Sequence, residues 1–265
     1  MGAEWTLALG SHAPLHALYS ALFAFAAAFG AAMIATAIAG RLARHHLADE
    51  NRQAIKVSLG VLSMLVALVL GLMIADAKDT FDSEGATLRR MSAQVILLDR
   101  ILEQYGPETA PSRKLLHDAA RHALLRLEGR LATDPGMTIA SRIDMGAFVT
   151  SIGNLPQSDA LKRTLRERAI GLVGEIGQQR LELYVQQDQG MPRAVLLSLL
   201  GWITILFGGY GLLSPPSRVG VIALLASSAG IAAAVFLVEE LGAPLDGLIR
   251  LSPAPLRDAV MLLGG

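Results

Sequence analysis

His45, His46, Asp49 and Glu50 are the residues whose spacing comes closest to a metal site in this chain. On a helix, His45 would stand over Asp49 and His46 over Glu50, and imidazole with carboxylate suits a divalent transition metal. A closed site needs further ligands. None lies nearby in sequence, so a solvated turn is the preferred reading. His12 and His16 straddle Pro14, which spoils a helical pair. His117 and His122 are five apart, on different faces of one helix. Serine, histidine and aspartate are all present, but no nucleophile elbow and no glycine-rich phosphate loop occurs. The chain has no cysteine, which excludes disulfides, thiol catalysis and thiolate-held metals. No catalytic residue, cofactor or metal is assigned, and an enzyme is the least favoured class. Arg89-Arg90 and Arg163 with Arg166 read as solvated faces rather than an anion-attracting vestibule.

The elements that would position such residues are mostly apolar. Four runs, Ala17–Gly40, Ile55–Ala75, Arg193–Leu213 and Val219–Leu241, each have about the twenty residues needed to cross roughly 30 Å of hydrocarbon. Two precede and two follow more than a hundred residues of ordinary soluble composition. Of all residues 52% are hydrophobic and 17% charged, which suits a multi-pass membrane protein with a soluble insert. The 23 basic and 23 acidic residues balance, so nothing favours nucleic acid. No Lys or Arg precedes Arg41. The first run therefore lacks the basic n-region of a cleaved signal and reads as a span.

Small residues recur at intervals of four within the spans. Ala27, Ala31, Ala35 and Ala39 form one stripe, and Ser63, Ala67, Gly71 and Ala75 another. Such faces let helices approach closely where lipid gives no hydrophobic drive. They fit packing within one chain or against another subunit. Gly208, Gly209 and Gly211 would either loosen the third span or serve packing. Charge is confined to span ends (Lys56, Asp76, Glu239, Glu240), which argues against a proton-coupled transporter. Arg41, Arg44, Arg52 and Lys56 give a weak positive-inside argument for a cytoplasmic loop between the first two spans.

Between Pro14 and Pro107 there is no proline, and Ala54 to Tyr105 reads as one helix that carries the second span onward. Leu88, Met91, Val95, Leu98, Leu102 and Tyr105 form an a/d seam that needs a partner. Gly106-Pro107 ends it. A second helix is expected from Ser112, as N-cap, with Leu116, Ala120, Ala123, Leu124, Leu127 and Leu131 on one stripe. A loop is expected over Thr133 to Pro156. A third helix, Ser158–Gln187, would bury Leu161, Leu165, Leu172, Ile176 and Leu183. A short amphipathic helix, Leu256–Leu263, closes the chain. The expectation is an all-α polytopic membrane protein with two spans on each side of a helical extramembrane domain, continuous with the second and third spans. The divisions are 1–78, 79–191, 192–241 and a tail, 242–265.

A set of local sequences then gains meaning by its order. His45-His46-Leu47-Ala48-Asp49-Glu50-Asn51 leads into the second span, and Phe81-Asp82, Leu97-Leu98-Asp99-Arg100 and Tyr105-Gly106-Pro107 follow. Pro244-Leu245-Asp246-Gly247-Leu248-Ile249-Arg250 and Ser252-Pro253-Ala254-Pro255-Leu256-Arg257 stand near the end. Together they resemble the bestrophin-like domain proteins, a family of bacterial integral membrane proteins of undetermined function, distantly similar to the bestrophin anion channels. The positions that carry the likeness are His46, Asp49, Phe81, Asp99, Arg100, Pro244, Asp246, Gly247 and Pro255. Family members often have Pro-Phe where this chain has Pro244-Leu245. Glu239, Glu240 and Asp246 are too few and too separated for a bestrophin calcium clasp, and no ring of aromatics is evident at a pore neck. The resemblance implies a multi-pass protein of the bacterial inner membrane, a homo-oligomer (a pentamer), and an anion channel of the chloride type. It also implies a cytoplasmic middle domain, against the charge argument. The alternative is a membrane-anchored helical scaffold or signalling module without transport.

Overall fold

The computed structural model describes residues 13–41, 49–128, 146–187, 193–213, 217–242 and 249–263. Its elements are α1 (Ala13–Arg41), α2 (Asp49–Tyr105), a 3₁₀ turn (Pro107–Thr109), α3 (Ala110–Leu127), α4 (residues 146–153), α5 (Ala160–Gln187), α6 (Arg193–Leu213), α7 (Arg218–Leu241) and α8 (Ala254–Leu263). Among the described residues there is no strand. The four helices long and apolar enough to cross a membrane are α1, α2, α6 and α7. The expected continuity of α5 with the third span falls on residues 188–192, outside the described residues. The chain divides into two compact units, residues 1–81 with 190–249 and residues 82–189 with 250–265, and α2 runs unbroken from one to the other.

In the first unit, α1 packs on α6 and α7. Its contact face is the alanine row Ala24, Ala28 and Ala32, each fully buried. That row allows very close approach. The Thr36 hydroxyl donates to Ala32 O (2.9 Å) and lies 3.1 Å from Gly211 O on α6. Leu59, Val66, Met73 and Ala77 of α2 join Leu199, Ile203, Leu206 and Phe207 of α6 in the same core. Hydroxyls inside the spans are satisfied by their own helices: Ser198, Thr204 and Ser228 donate to the carbonyls four residues back. Ser217 caps α7 by accepting from Gly220 N at 3.1 Å.

The core of the second unit is built on the α2 seam. Leu88, Val95, Leu98, Leu102 and Tyr105 are buried, with Met91 packed against them. Leu116 and Ala120 of α3 and Leu165, Ala169, Leu172, Val173 and Ile176 of α5 complete this core. Three local expectations need correction. The stretch expected as a loop contains α4, whose Phe148 and Ile152 enter the core; the turn residues Asp134-Pro135-Gly136 lie outside the described residues. Ser112 does not cap α3. The helix starts at Ala110 after the 3₁₀ turn, and the Ser112 hydroxyl pairs with Ser151 of α4 at 2.8 Å. Leu161 is 60% exposed, because it stands in the first turn of α5, one turn before the helix meets the core at Leu165; Asp159 caps that turn by accepting from Lys162 N at 2.7 Å. Leu131 lies outside the described residues.

The reversal after α2 depends on Gly106, at φ 127°. Its carbonyl accepts from Thr109 N and from the Thr109 hydroxyl, which also reaches Leu102 O at 2.6 Å. A Cβ there would stand 2.6 Å from Glu108 Oε2. That carboxylate can move aside; the positive φ cannot be relieved. Gly106→Ala is expected to cost about 1–3 kcal/mol, seen as a lower thermal midpoint of the detergent-solubilised protein. An unchanged midpoint would contradict the need for glycine. α8 packs on α3 with Leu256 and Ala259 buried.

Candidate functional site

The first candidate is the outer arc of α2 within the first unit. The strip Leu59, Val66, Met73 and Ala77 is buried. Val57, Val61, Met64, Leu68 and Leu72 are all about 60% exposed or more, and Ala67, Gly71 and Ala75 are exposed beside them. A Cβ on Gly60 or Gly71 would meet nothing within 4 Å. The two small-residue stripes thus differ. On α1, Ala35 is buried and Ala27, Ala31 and Ala39 are half-buried, beside the buried alanine row. On α2, Ser63 is half-buried and the other three are uncovered. The apolar face of α2 that its own chain leaves open is wide enough to meet lipid or another subunit.

The sequence-derived positions fall in different places. Asp99 is buried and makes a two-point ion pair with Arg113 of α3, Nε to Oδ1 at 2.7 Å and Nη2 to Oδ2 at 2.9 Å. That hydrogen bond raises the pKa of the Arg113 guanidinium. Arg100 is exposed and pairs with Glu103 at 2.8 Å. Phe81 is half-buried on α2, and Pro255 is half-buried in the first turn of α8, where a missing N–H costs nothing. Asp49 is the first residue of α2. His45, His46, Pro244, Asp246 and Gly247 lie outside the described residues.

The ends of the elements are tied by charge. Lys162 of α5 meets Glu108 at 2.7 Å and stands 5.2 Å from the centre of the Tyr105 ring, while the Tyr105 hydroxyl donates to Pro156 O. Lys162 holds the Glu108 carboxyl below its usual range, so what the pair adds to stability is lost as pH falls through that lowered value. Arg257 of α8 reaches Glu128 at the end of α3 at 2.6 Å. In the first unit, Glu240 at the end of α7 is buried, and its Oε1 accepts from Ile249 N at 2.8 Å. Sequence reasoning did not single out Glu84, Gln94 or Gln179, because a polar residue on a long helix gives no sign of which face it will occupy.

Comparison with known proteins places this architecture. Residues 26–256 match the bestrophin-like domain family. No curated protein matches the chain. Among solved structures, a bacterial bestrophin homologue from Klebsiella pneumoniae carrying a mutation is similar, with a TM-score of 0.60 and 14% identity, over 93% of this chain and 97% of that one. The apolar α1, α2, α6 and α7, the unbroken α2 and a family match over most of its length make this membrane protein a member of the bestrophin-like family.

Proposed function

We propose that the protein is a homo-oligomeric channel for chloride-type anions in the bacterial inner membrane, with its four apolar helices as passes and its second unit outside the bilayer. The observation that carries this reading is the uncovered face of α2. A helix that buries a narrow strip in its own chain and exposes the rest has surface for both a subunit neighbour and a shared axis. Ser63, Ala67, Gly71 and Ala75 are the proposed subunit contact on that face, with a pentamer as the assembly the family likeness suggests. Family membership and the similarity to a bestrophin homologue support it. A channel of this kind needs no ionisable residue at mid-membrane, in keeping with charge held at the span ends.

The test joins two measurements on one preparation. The mass of the detergent-solubilised protein should be a multiple of the 28.0 kDa chain. Liposomes holding that oligomer should pass chloride and not potassium or protons. A verified oligomer without anion flux would sink the channel and leave the scaffold reading, and a monomer would remove the shared axis.

A further inference from the structure

The buried row of α2 in the second unit does not begin with an apolar residue. Leu88, Met91, Val95, Leu98, Leu102 and Tyr105 face the core, and one step before Leu88 on the same face stands Glu84. It is only 2% exposed, as buried as the leucines that follow it. Gly85 beside it is buried under Leu251 of the segment before α8, and a Cβ on Gly85 would stand 3.2 Å from Leu251 Cδ2. α5 runs antiparallel to α2, with Lys162 at Tyr105 and Glu175 at Gln94, so Glu84 stands level with the last turn of α5.

Glu84 Oε2 is buried and has no hydrogen-bond partner among the described residues. The charged side chains of the surrounding elements are Arg89 on α2, Arg180 and Glu182 on α5, Arg126 and the Glu128–Arg257 pair at the end of α3, and Arg250 before α8. None of them offsets the burial of Glu84, which alone raises its carboxyl above the ordinary range. An acid in a leucine position is compatible with close packing as the neutral form, because an unpaired carboxylate in apolar surroundings is far more costly. A buried polar atom without a partner also calls for an explanation. We infer that Glu84 is a proton-operated latch in the second unit: protonated, it lets α2 close against α5 and Leu251; ionised, it draws in water and opens this end of the seam. In the opened form the carboxyl regains its ordinary value, so opening releases a proton in the window between the ordinary and the raised value. Opening is therefore favoured as pH rises through that window, by up to about tenfold per pH unit for one proton, and levels off above it. The latch is independent of the channel reading, since it is measured without flux.

The experiment is hydrogen exchange of the α2 amides from Ser83 to Ser92 in the intact detergent-solubilised protein, from about pH 5 to about pH 8, beside Glu84→Gln. The ratio of wild-type to variant exchange at each pH cancels the intrinsic pH dependence of amide exchange. That ratio is expected to climb with pH, by as much as roughly tenfold per unit, while the ratio for α3 amides near Leu116 stays constant. Glu84→Leu, which makes the row wholly apolar, gives the same comparison and should raise the thermal midpoint. Infrared absorption reads the proton directly in the wild-type protein. A protonated-carboxyl carbonyl band should persist at about pH 6, well above the ordinary carboxylate value, and vanish in both variants. A ratio that stays constant with pH would overturn the latch, as would the absence of a protonated band lost on substitution of Glu84. A ratio that climbs equally in α3 would also overturn it, because the opening would then not be local to this end of the seam.

Discussion

Arg113→Met is expected to destabilise the protein by about 3–4 kcal/mol, the cost of breaking a buried ion pair from one side. The reason lies in the unequal burial of the partners. The Asp99 side chain is 6% exposed and that of Arg113 33%. Removing the arginine strands a carboxylate in the protein interior, next to the core residues Leu98 and Leu102. Removing the charge of Asp99 strands only a guanidinium that water already reaches. Asp99→Asn should therefore cost less, about 2 kcal/mol. The double variant should cost less than the sum of the two, because neither charge is then left behind. Thermal or chemical unfolding of the four proteins in one detergent gives the full cycle. Equal costs for the two single changes, or simple additivity, would show that the pair is not the internal tie its geometry indicates. The pair closes the reversal at Gly106, fixing α3 on α2 across 14 residues of chain.

What could be read from sequence follows from which forces are local. Length and apolarity alone mark a span, so α6 begins and ends at the expected residues and α2 ends at the expected tyrosine. The a/d spacing from Leu88 to Tyr105 is likewise a property of one helix, and its burial was readable without knowing the partner. Partner identity was not. α4 sits in a stretch with Gly146, Gly153 and Pro156, which reads as a loop until Phe148 and Ile152 find the α2 seam. Ser112 has the side chain of a cap but is drawn to Ser151, a contact 39 residues away. The candidate site was less legible still. Small-residue stripes on α1 and α2 look alike in sequence, and only packing separates the half-buried one from the open one.

The packing of α1 on α6 yields the second large expected effect. Gly208, Gly209 and Gly211 occupy one stretch of α6, and helix propensity alone would make alanine slightly favourable at all three. The structure ranks them differently. A Cβ on Gly208 meets nothing within 4 Å. One on Gly209 would come within 2.5 Å of Leu59 Cδ2, a side-chain end that can turn away. One on Gly211 would overlap the carbonyl oxygen of Ala32 and stand 3.0 Å from its Cα. Backbone cannot turn away; the helices must separate. Ala24, Ala28 and Ala32 have no longer side chains with which to refill the gap. In lipid, close van der Waals contact is itself the force that holds helices together. Gly211→Ala is therefore expected to cost about 3 kcal/mol, the upper part of the range for overpacking. Gly209→Ala should cost about 1 kcal/mol, and Gly208→Ala should be neutral or stabilising by a few tenths, roughly. The Thr36 hydroxyl bridges the same point, 3.1 Å from Gly211 O, so Thr36→Val should add little to Gly211→Ala once the helices have parted. Thermal midpoints of the solubilised variants give the order directly. If all three glycine changes behaved alike, the stretch would matter as flexible backbone and not as a contact surface.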